Sequence, residues 1–268
     1  MARMWWHYLL HLVYFCALGL ARVEDASYSF SLTTFSPKGS LSQIEYAMKA
    51  VDAGATSVAV KFDSGAVLAS QSKPPSVLVR AIGGKLTHIT DSSAMAYAGV
   101  AADSRVLATS ASSFASRYRA RYGEGPVALL PMVGELAAVM QEYTQMAGVR
   151  PFGVSVLLAG EQGEEVLVYR VDPSGYYSPW KAAAIGRGAG AAQRLLQVGY
   201  KESLGAEEAL ALAVAVLQWC ANEELELSEM ETCFVRCSGI TNQPHLSMDE
   251  EELNELLREV KSRLSEAA

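Results

Sequence analysis

Residues 28–54, YSFSLTTFSPKGSLSQIEYAMKAVDAG, constrain the chain more than any other stretch. A short polar, strand-like run enters a tight turn, and the turn leads directly into an amphipathic helix. Ser36-Pro37-Lys38-Gly39 suits a type I turn, with Pro at the second position and Gly at the fourth. Ser40 and Gln43 have the spacing of a capping box, in which each side chain satisfies a backbone N–H at the helix start. Leu41, Ile44, Ala47, Met48 and Val51 then recur at helical spacing and give one apolar face, and Gly54 stands where a helix stops.

The rest of the body alternates hairpins with helix pairs. Thr56–Phe62 and Ala66–Ser70 read as a hairpin across Asp63-Ser64-Gly65, followed by strands near Lys85–Ile89 and Ala94–Gly99. Helical patterns run near Ala102–Arg121 and Pro131–Gln145, the second with Pro131 in its first turn. A second hairpin joins Gly153–Ala159 to Val166–Val171. One strand near Tyr176–Ala184 leads to helices near Ala189–Tyr200 and Ala206–Glu223. A last strand near Glu231–Cys237 precedes a terminal helix, Met248–Arg263, with Leu253, Leu256, Leu257 and Val260 on one face. Antiparallel strands separated by helix pairs suggest two packed sheets covered by helices. The length admits one four-layer domain or two small ones. With no linker or repeat inside residues 28–262, the expectation is a single domain over residues 28–268.

The net charge of −7 argues against nucleic acid as a partner, and Arg117-Tyr118-Arg119-Ala120-Arg121 reads as a solvated helix face. Of the four cysteines, Cys16 lies in an apolar N-terminal run. Cys233 and Cys237 fall on one face of a strand, too far apart for a disulfide and wrongly spaced for a zinc knuckle; they read as buried free thiols in a reducing compartment. No cluster supports a metal, and no cofactor is expected. Gly186-Arg187-Gly188-Ala189-Gly190-Ala191 fits G-x-G-x-x-A, but a dinucleotide site also needs a βαβ unit and an acid ending its second strand. Glu207 and Glu208 lie at about the right distance on a predicted helix, so the glycines read as close strand–helix packing. His88 and His245 have no nucleophile motif beside them.

The first stretch also carries a resemblance. Phe35-Ser36-Pro37-Lys38-Gly39-Ser40-Leu41-Ser42-Gln43-Ile44-Glu45-Tyr46-Ala47 resembles the N-terminal signature F-S-P-x-G-x-L-x-Q-I-E-Y-A of the α-type subunits of the 20S proteasome, and Tyr28–Thr34 is most like the type-2 kind. Further matches follow in order: Gly99–Leu107 (GVAADSRVL), Gln141–Gln145 (QEYTQ), Gly148–Ser155 (GVRPFGVS) and Asp172–Gly175 (DPSG). The resemblance covers about residues 27–262. It implies an α+β, four-layer αββα sandwich of the N-terminal-nucleophile hydrolase fold, in a non-catalytic member.

Catalytic siblings on that fold use an N-terminal threonine activated by its own amine, with a lysine and an acid. Here the nucleophile position falls near Ala55 or Thr56, the acid position near Gln71, and Lys85 alone keeps its type. One part of three is not a catalytic set, so an independent N-terminal-nucleophile hydrolase is the alternative reading and catalytic residues are expected to be none. The resemblance implies a structural and gating subunit of a hetero-heptameric ring that controls substrate entry for ubiquitin-dependent degradation. Its implied partners are α type-1 and type-3 neighbours, β-ring subunits and regulatory particles, without nucleic acid or membrane. Implied gate positions are Tyr28, Ser29, Phe30, Pro37 and Tyr46. Many family members carry Asp where this chain has Ser29, a departure that weakens the claim that Ser29 supports the open gate as Asp would. Lys85 is implied as the partner of an activator's C-terminal carboxylate, a sensible charge-assisted hydrogen bond.

Residues 1–22, MARMWWHYLLHLVYFCALGLAR, conflict with that picture. Arg3, the apolar run Trp5–Leu20 and the small residues Gly19 and Ala21 make a fair signal peptide, although His7 and His11 weaken it and the run is short for a transmembrane span. The absence of any Asn-x-Ser/Thr sequon disfavours secretion. Residues 1–27 are expected to be an upstream extension without structure of its own, and the body to work in cytoplasm and nucleus.

Overall fold

A computed structural model describes residues 34–72, 78, 84–221, 225–242 and 250–267. Tyr28, Ser29, Phe30, the whole of residues 1–27, His245 and Cys16 lie outside the described residues. Helix α1 (Ser42–Ala53) is followed by the hairpin β1 (Ser57–Phe62) and β2 (Gly65–Gln71), then by β3 (Leu86–Thr90) and β4 (Ser93–Gly99). Helices α2 (Ala101–Tyr122) and α3 (Leu129–Gln145) precede the hairpin β5 (Val154–Gln162) and β6 (Glu165–Val171). Then come β7 (Tyr177–Trp180), β8 (Ala182–Ile185), α4 (Ala189–Gly199), α5 (Ala206–Cys220), β9 (Met230–Arg236), β10 (Gly239–Asn242) and α6 (Glu250–Ala267).

The strands form two five-stranded antiparallel sheets, ordered β10-β9-β2-β1-β8 and β3-β4-β5-β6-β7. Period-two alternation sorts their side chains into separate cores. Val58, Val60, Phe62 and Val67 face outward from the first sheet onto α4, α5 and α6. Met95, Tyr97, Val154, Val156 and Leu158 face outward from the second onto α2 and α3. Between the sheets, seven of the fifteen buried apolar residues are alanine, among them Ala59, Ala94, Ala96 and Ala98, and their small side chains let the two backbones pack closely. The expected αββα sandwich is therefore present, with α1 at one end against β4 and β5.

Three local expectations need correction. The run Tyr176–Ala184 is two strands rather than one: β7 pairs with β6 and β8 pairs with β1, so the chain changes sheets at Lys181. The last strand is followed by another, β10, paired with β9 through Gly239↔Arg236 and Asn242↔Cys233. Cys237 lies beyond the end of β9 and is exposed, whereas Cys233 is buried; both are free thiols.

Candidate functional site

The lead-in to α1 is a compact knot of backbone and hydroxyl groups. The Gly39 N–H donates to the Ser36 carbonyl (2.8 Å), and the Ser36 N–H donates to the Ser40 carbonyl (2.8 Å). The two serine hydroxyls bond each other (2.9 Å), and the Ser40 N–H donates to Ser36 Oγ (3.2 Å). The turn forms as its sequence requires, with Pro37 exposed at its tip and Gly39 at φ +76°. The N-cap falls one residue later than the expected box placed it: the helix is entered through Leu41, in extended backbone and without a side-chain cap of its own, and the Ser40 hydroxyl bonds that of Ser36. Ala47 and Val51 are buried on the inner face of α1. Phe35 and Tyr46 are 65% and 46% exposed, and the Lys49 ammonium lies 5.5 Å from the Tyr46 ring centre. Pro37 and Tyr46 thus share an exposed lead-in rather than packing into the body.

The other end of α1 is anchored by parts from three places in the chain. Gly54 ends the helix by close approach and not by a left-handed turn: its φ is −72°, and a Cβ there would lie 2.3 Å from the Gly99 nitrogen. Gly99 itself has φ +115°, and a Cβ on it would lie 2.2 Å from the Gly153 carbonyl oxygen; only glycine meets both conditions. The Gly153 carbonyl accepts the Val100 N–H (2.9 Å). Asp103, buried in the first turn of α2, accepts two hydrogen bonds from Arg150 (2.7 and 2.8 Å) and one from the Gly153 N–H (2.9 Å). Burial alone would push the Asp103 carboxyl up, but the Arg150 hydrogen bonds, the Gly153 N–H and the Arg150 charge outweigh it and hold the carboxyl below its ordinary range. The same hydrogen bonds raise the Arg150 guanidinium. Arg187 closes the junction: its N–H donates to the Gly54 carbonyl (2.8 Å) and its guanidinium to the Ala53 carbonyl (3.1 Å). No basic residue occupies the last turn of α1, so Arg187 supplies from another element the cation that the negative helix end favours.

The positions corresponding to a catalytic set are filled by internal bonds. Thr56 is buried within the chain, its hydroxyl donates to the Arg187 carbonyl, and its own carbonyl accepts the Gln71 N–H (3.1 Å). A mid-chain residue has no free amine to activate its hydroxyl. The neighbouring Ser57 hydroxyl bonds Ser70 (2.7 Å) and donates to the Tyr97 carbonyl (2.9 Å). Lys85, one residue before β3, holds its ammonium 4.7 Å from the Tyr97 ring centre. Burial lowers the Lys85 ammonium, and the Glu231 charge opposes that without cancelling it. What this site offers chemically is a half-buried cation for a carboxylate. Of the glycines in 186–191, Gly186 serves close packing: a Cβ on it would lie 2.6 Å from the Ala55 carbonyl oxygen, whereas Gly188 is required by its φ of +74° and Gly190 has open space beside it; β8 pairs antiparallel, so no βαβ unit exists there. Glu208 accepts the Gly205 N–H at the start of α5 (3.1 Å).

Sequence reasoning missed Arg187, which stood as an unspecified position between two glycines, and Glu231, which stood as a strand residue. It also missed that Gly99–Leu107 and Gly148–Ser155 meet through Asp103 and Arg150. An acid opening a helix was the visible signal for Asp103; nothing local pointed to its partner.

Two family descriptions match the chain: that of the proteasome subunit over residues 51–235, and that of the N-terminal signature of A-type proteasome subunits over residues 28–50. Among curated relatives, the chain is 42% identical over 208 residues to the alpha type-2-A proteasome subunit of Arabidopsis thaliana, covering 77% of this chain and 88% of the relative. It is 44% identical over 225 residues to the probable alpha type-2 proteasome subunit of Schizosaccharomyces pombe, covering 81% and 91%. It is 41% identical over 211 residues to the alpha type-2 proteasome subunit of Saccharomyces cerevisiae, covering 78% and 84%.

Proposed function

The chain belongs to the proteasome subunit family as a non-catalytic α-type subunit of the 20S core, and from that premise we propose that its N-terminal segment gates the ring and that Lys85 docks activators. Assembly with other proteasome subunits follows from membership of the family. The finer roles are our reading. Tyr28, Ser29, Phe30, Pro37 and Tyr46 form the gate segment, α type-1 and type-3 subunits are the ring neighbours, and regulatory particles place a C-terminal carboxylate on Lys85.

One observation carries the gating role. Helix α1 is fixed firmly at its C-terminal end and left uncovered at its lead-in, where Phe35 and Tyr46 remain exposed on the isolated subunit. Large aromatic side chains left bare beside a stiff turn suit contact with a neighbouring copy of the fold, and head-to-tail ring contacts present such a face once per subunit. The gate is then an extension of a rigidly held helix, able to transmit its orientation to the segment before it.

Particles carrying this subunit without residues 1–34 should hydrolyse small peptides faster than the intact particle, with no change at the catalytic subunits. Unchanged latent activity in a fully assembled deletion particle would reject the gating role. Work in cytoplasm and nucleus is part of the same proposal, and the free thiols of Cys220, Cys233 and Cys237 suit a reducing compartment.

A further inference from the structure

Glu231 does more than fill a place in β9. It is half-buried at the second position of that strand, in the first sheet, yet its carboxylate reaches the entry to the second sheet. One oxygen accepts the Ser72 hydroxyl (2.5 Å), just past the end of β2. The other accepts the Leu86 N–H (3.2 Å), the first residue of β3. Gly84 lies so close that a Cβ on it would be 2.3 Å from that oxygen. Ser72 is held a second time, its N–H donating to the Glu229 carbonyl (2.8 Å). Both ends of the β2–β3 connection are therefore tied to one short stretch of chain, Glu229 to Glu231, at the start of β9. Lys85 stands between Gly84 and Leu86, with its ammonium on the face of Tyr97.

We infer that Glu231 is the positioning residue of this site: it fixes the Gly84–Leu86 backbone and so holds the Lys85 ammonium over Tyr97, ready for a partner's carboxylate. This rests on the docking role proposed for Lys85. The carboxylate accepts one neutral donor on each oxygen, and it acts on the ammonium through its charge and through the backbone it holds. Charge-assisted bonds of this kind are among the stronger ones available, and a lysine stem has four rotatable bonds to be restrained. Among the described residues, the titratable groups facing the ammonium are Tyr97 on β4 and Glu231 on β9.

The test uses assembled particles and a short synthetic peptide copying an activator's C-terminus, with a free α-carboxylate; the amidated peptide is the control. Lys85→Ala should abolish the preference for the free carboxylate, and if it does not, the docking role itself fails. Given that loss, Glu231→Ala should weaken binding of the free peptide by about tenfold at neutral pH, the scale of one lost charge-assisted anchor. Glu231→Gln keeps one acceptor for the Leu86 N–H and removes the charge, so it should bind more tightly than Glu231→Ala at neutral pH. The Glu231 charge raises the Lys85 ammonium, so its removal lowers it further, and binding by Glu231→Gln should fall off at lower pH than in the parent particle. Should a Glu231 variant fail to assemble, Ser72→Ala, which frees one oxygen and keeps the charge, should still weaken the free peptide. Parent-like affinity in Glu231→Ala and Ser72→Ala, or an unmoved pH profile in Glu231→Gln, would overturn the inference while leaving the docking role standing.

Discussion

Asp103 and Arg150 illustrate how unequal the two partners of an ion pair are. The Asp103 side chain is 10% exposed and that of Arg150 61%, so Arg150 can be hydrated without its partner whereas Asp103 cannot. Removing Arg150 leaves a buried carboxylate with the Gly153 N–H, and should cost about 1–3 kcal/mol, below the range for fully buried pairs because one partner is wet. The pH dependence follows from the depressed carboxyl. Its stabilisation is present above the unfolded carboxylate range and is lost as pH falls through the lower folded value. Arg150→Ala removes the hydrogen bonds and charge of Arg150 and leaves only the Gly153 N–H against burial, so loss of protection should begin at higher pH in the variant. Hydrogen exchange of α1 and of the first turn of α2 within assembled particles reads both effects. Equal protection in parent and variant across mildly acidic pH would remove the pair from any anchoring role.

Helix α1 is an element whose apolar face and leading turn could be read directly, because both depend on residues within a few positions of each other. Its two ends could not. The start is entered at Leu41 behind a serine–serine bond, one residue later than expected, and the finish borrows Arg187 from the loop before α4. Replacing Arg187 with Ala should release the Ala53 carbonyl and remove a cation from the helix end. A cost of about 0.5–1 kcal/mol is expected, seen as faster exchange confined to the last turn of α1. Uniformly faster exchange across the whole subunit would instead mean that Arg187 supports the fold at large. The strands show the same division. Hairpins β1–β2 and β5–β6 were legible from apolar runs separated by short Gly-containing turns, which the structure tightens to two residues each. The change of sheet at Lys181 was not, because alternation reports which side of a strand is buried and says nothing of which sheet the strand joins. Strand β10 escaped because its four residues are half-exposed or exposed and carry no apolar pattern.

At the scale of the molecule, the sandwich depends on how closely its two sheets approach. Ala96, fully buried between Leu86 and Leu157 in the second sheet, is one of the alanines that set this spacing. Ala96→Leu should push the sheets apart at a cost of about 1–3 kcal/mol or more. On a native gel, this should appear as protein that is made but poorly incorporated into large particles. Full incorporation would show that the interface has slack that its composition does not suggest.

Local chemistry in the sequence was enough to determine most of the elements, the layered class and, through motifs in register, the family, because turns, helix faces and hairpins are set by neighbours along the chain. The tertiary structure alone decided which distant residues share a task. Gly54, Gly99 and Gly153 meet only once β4 and β5 pair and α1 closes over their ends. Glu231 reaches Ser72 because β2 and β9 pair in one sheet, and Leu86 only because β9 and β3, in different sheets, are brought to one end of the sandwich. Contacts between residues more than a hundred positions apart depend on the packing of whole layers, and no local pattern encodes that packing.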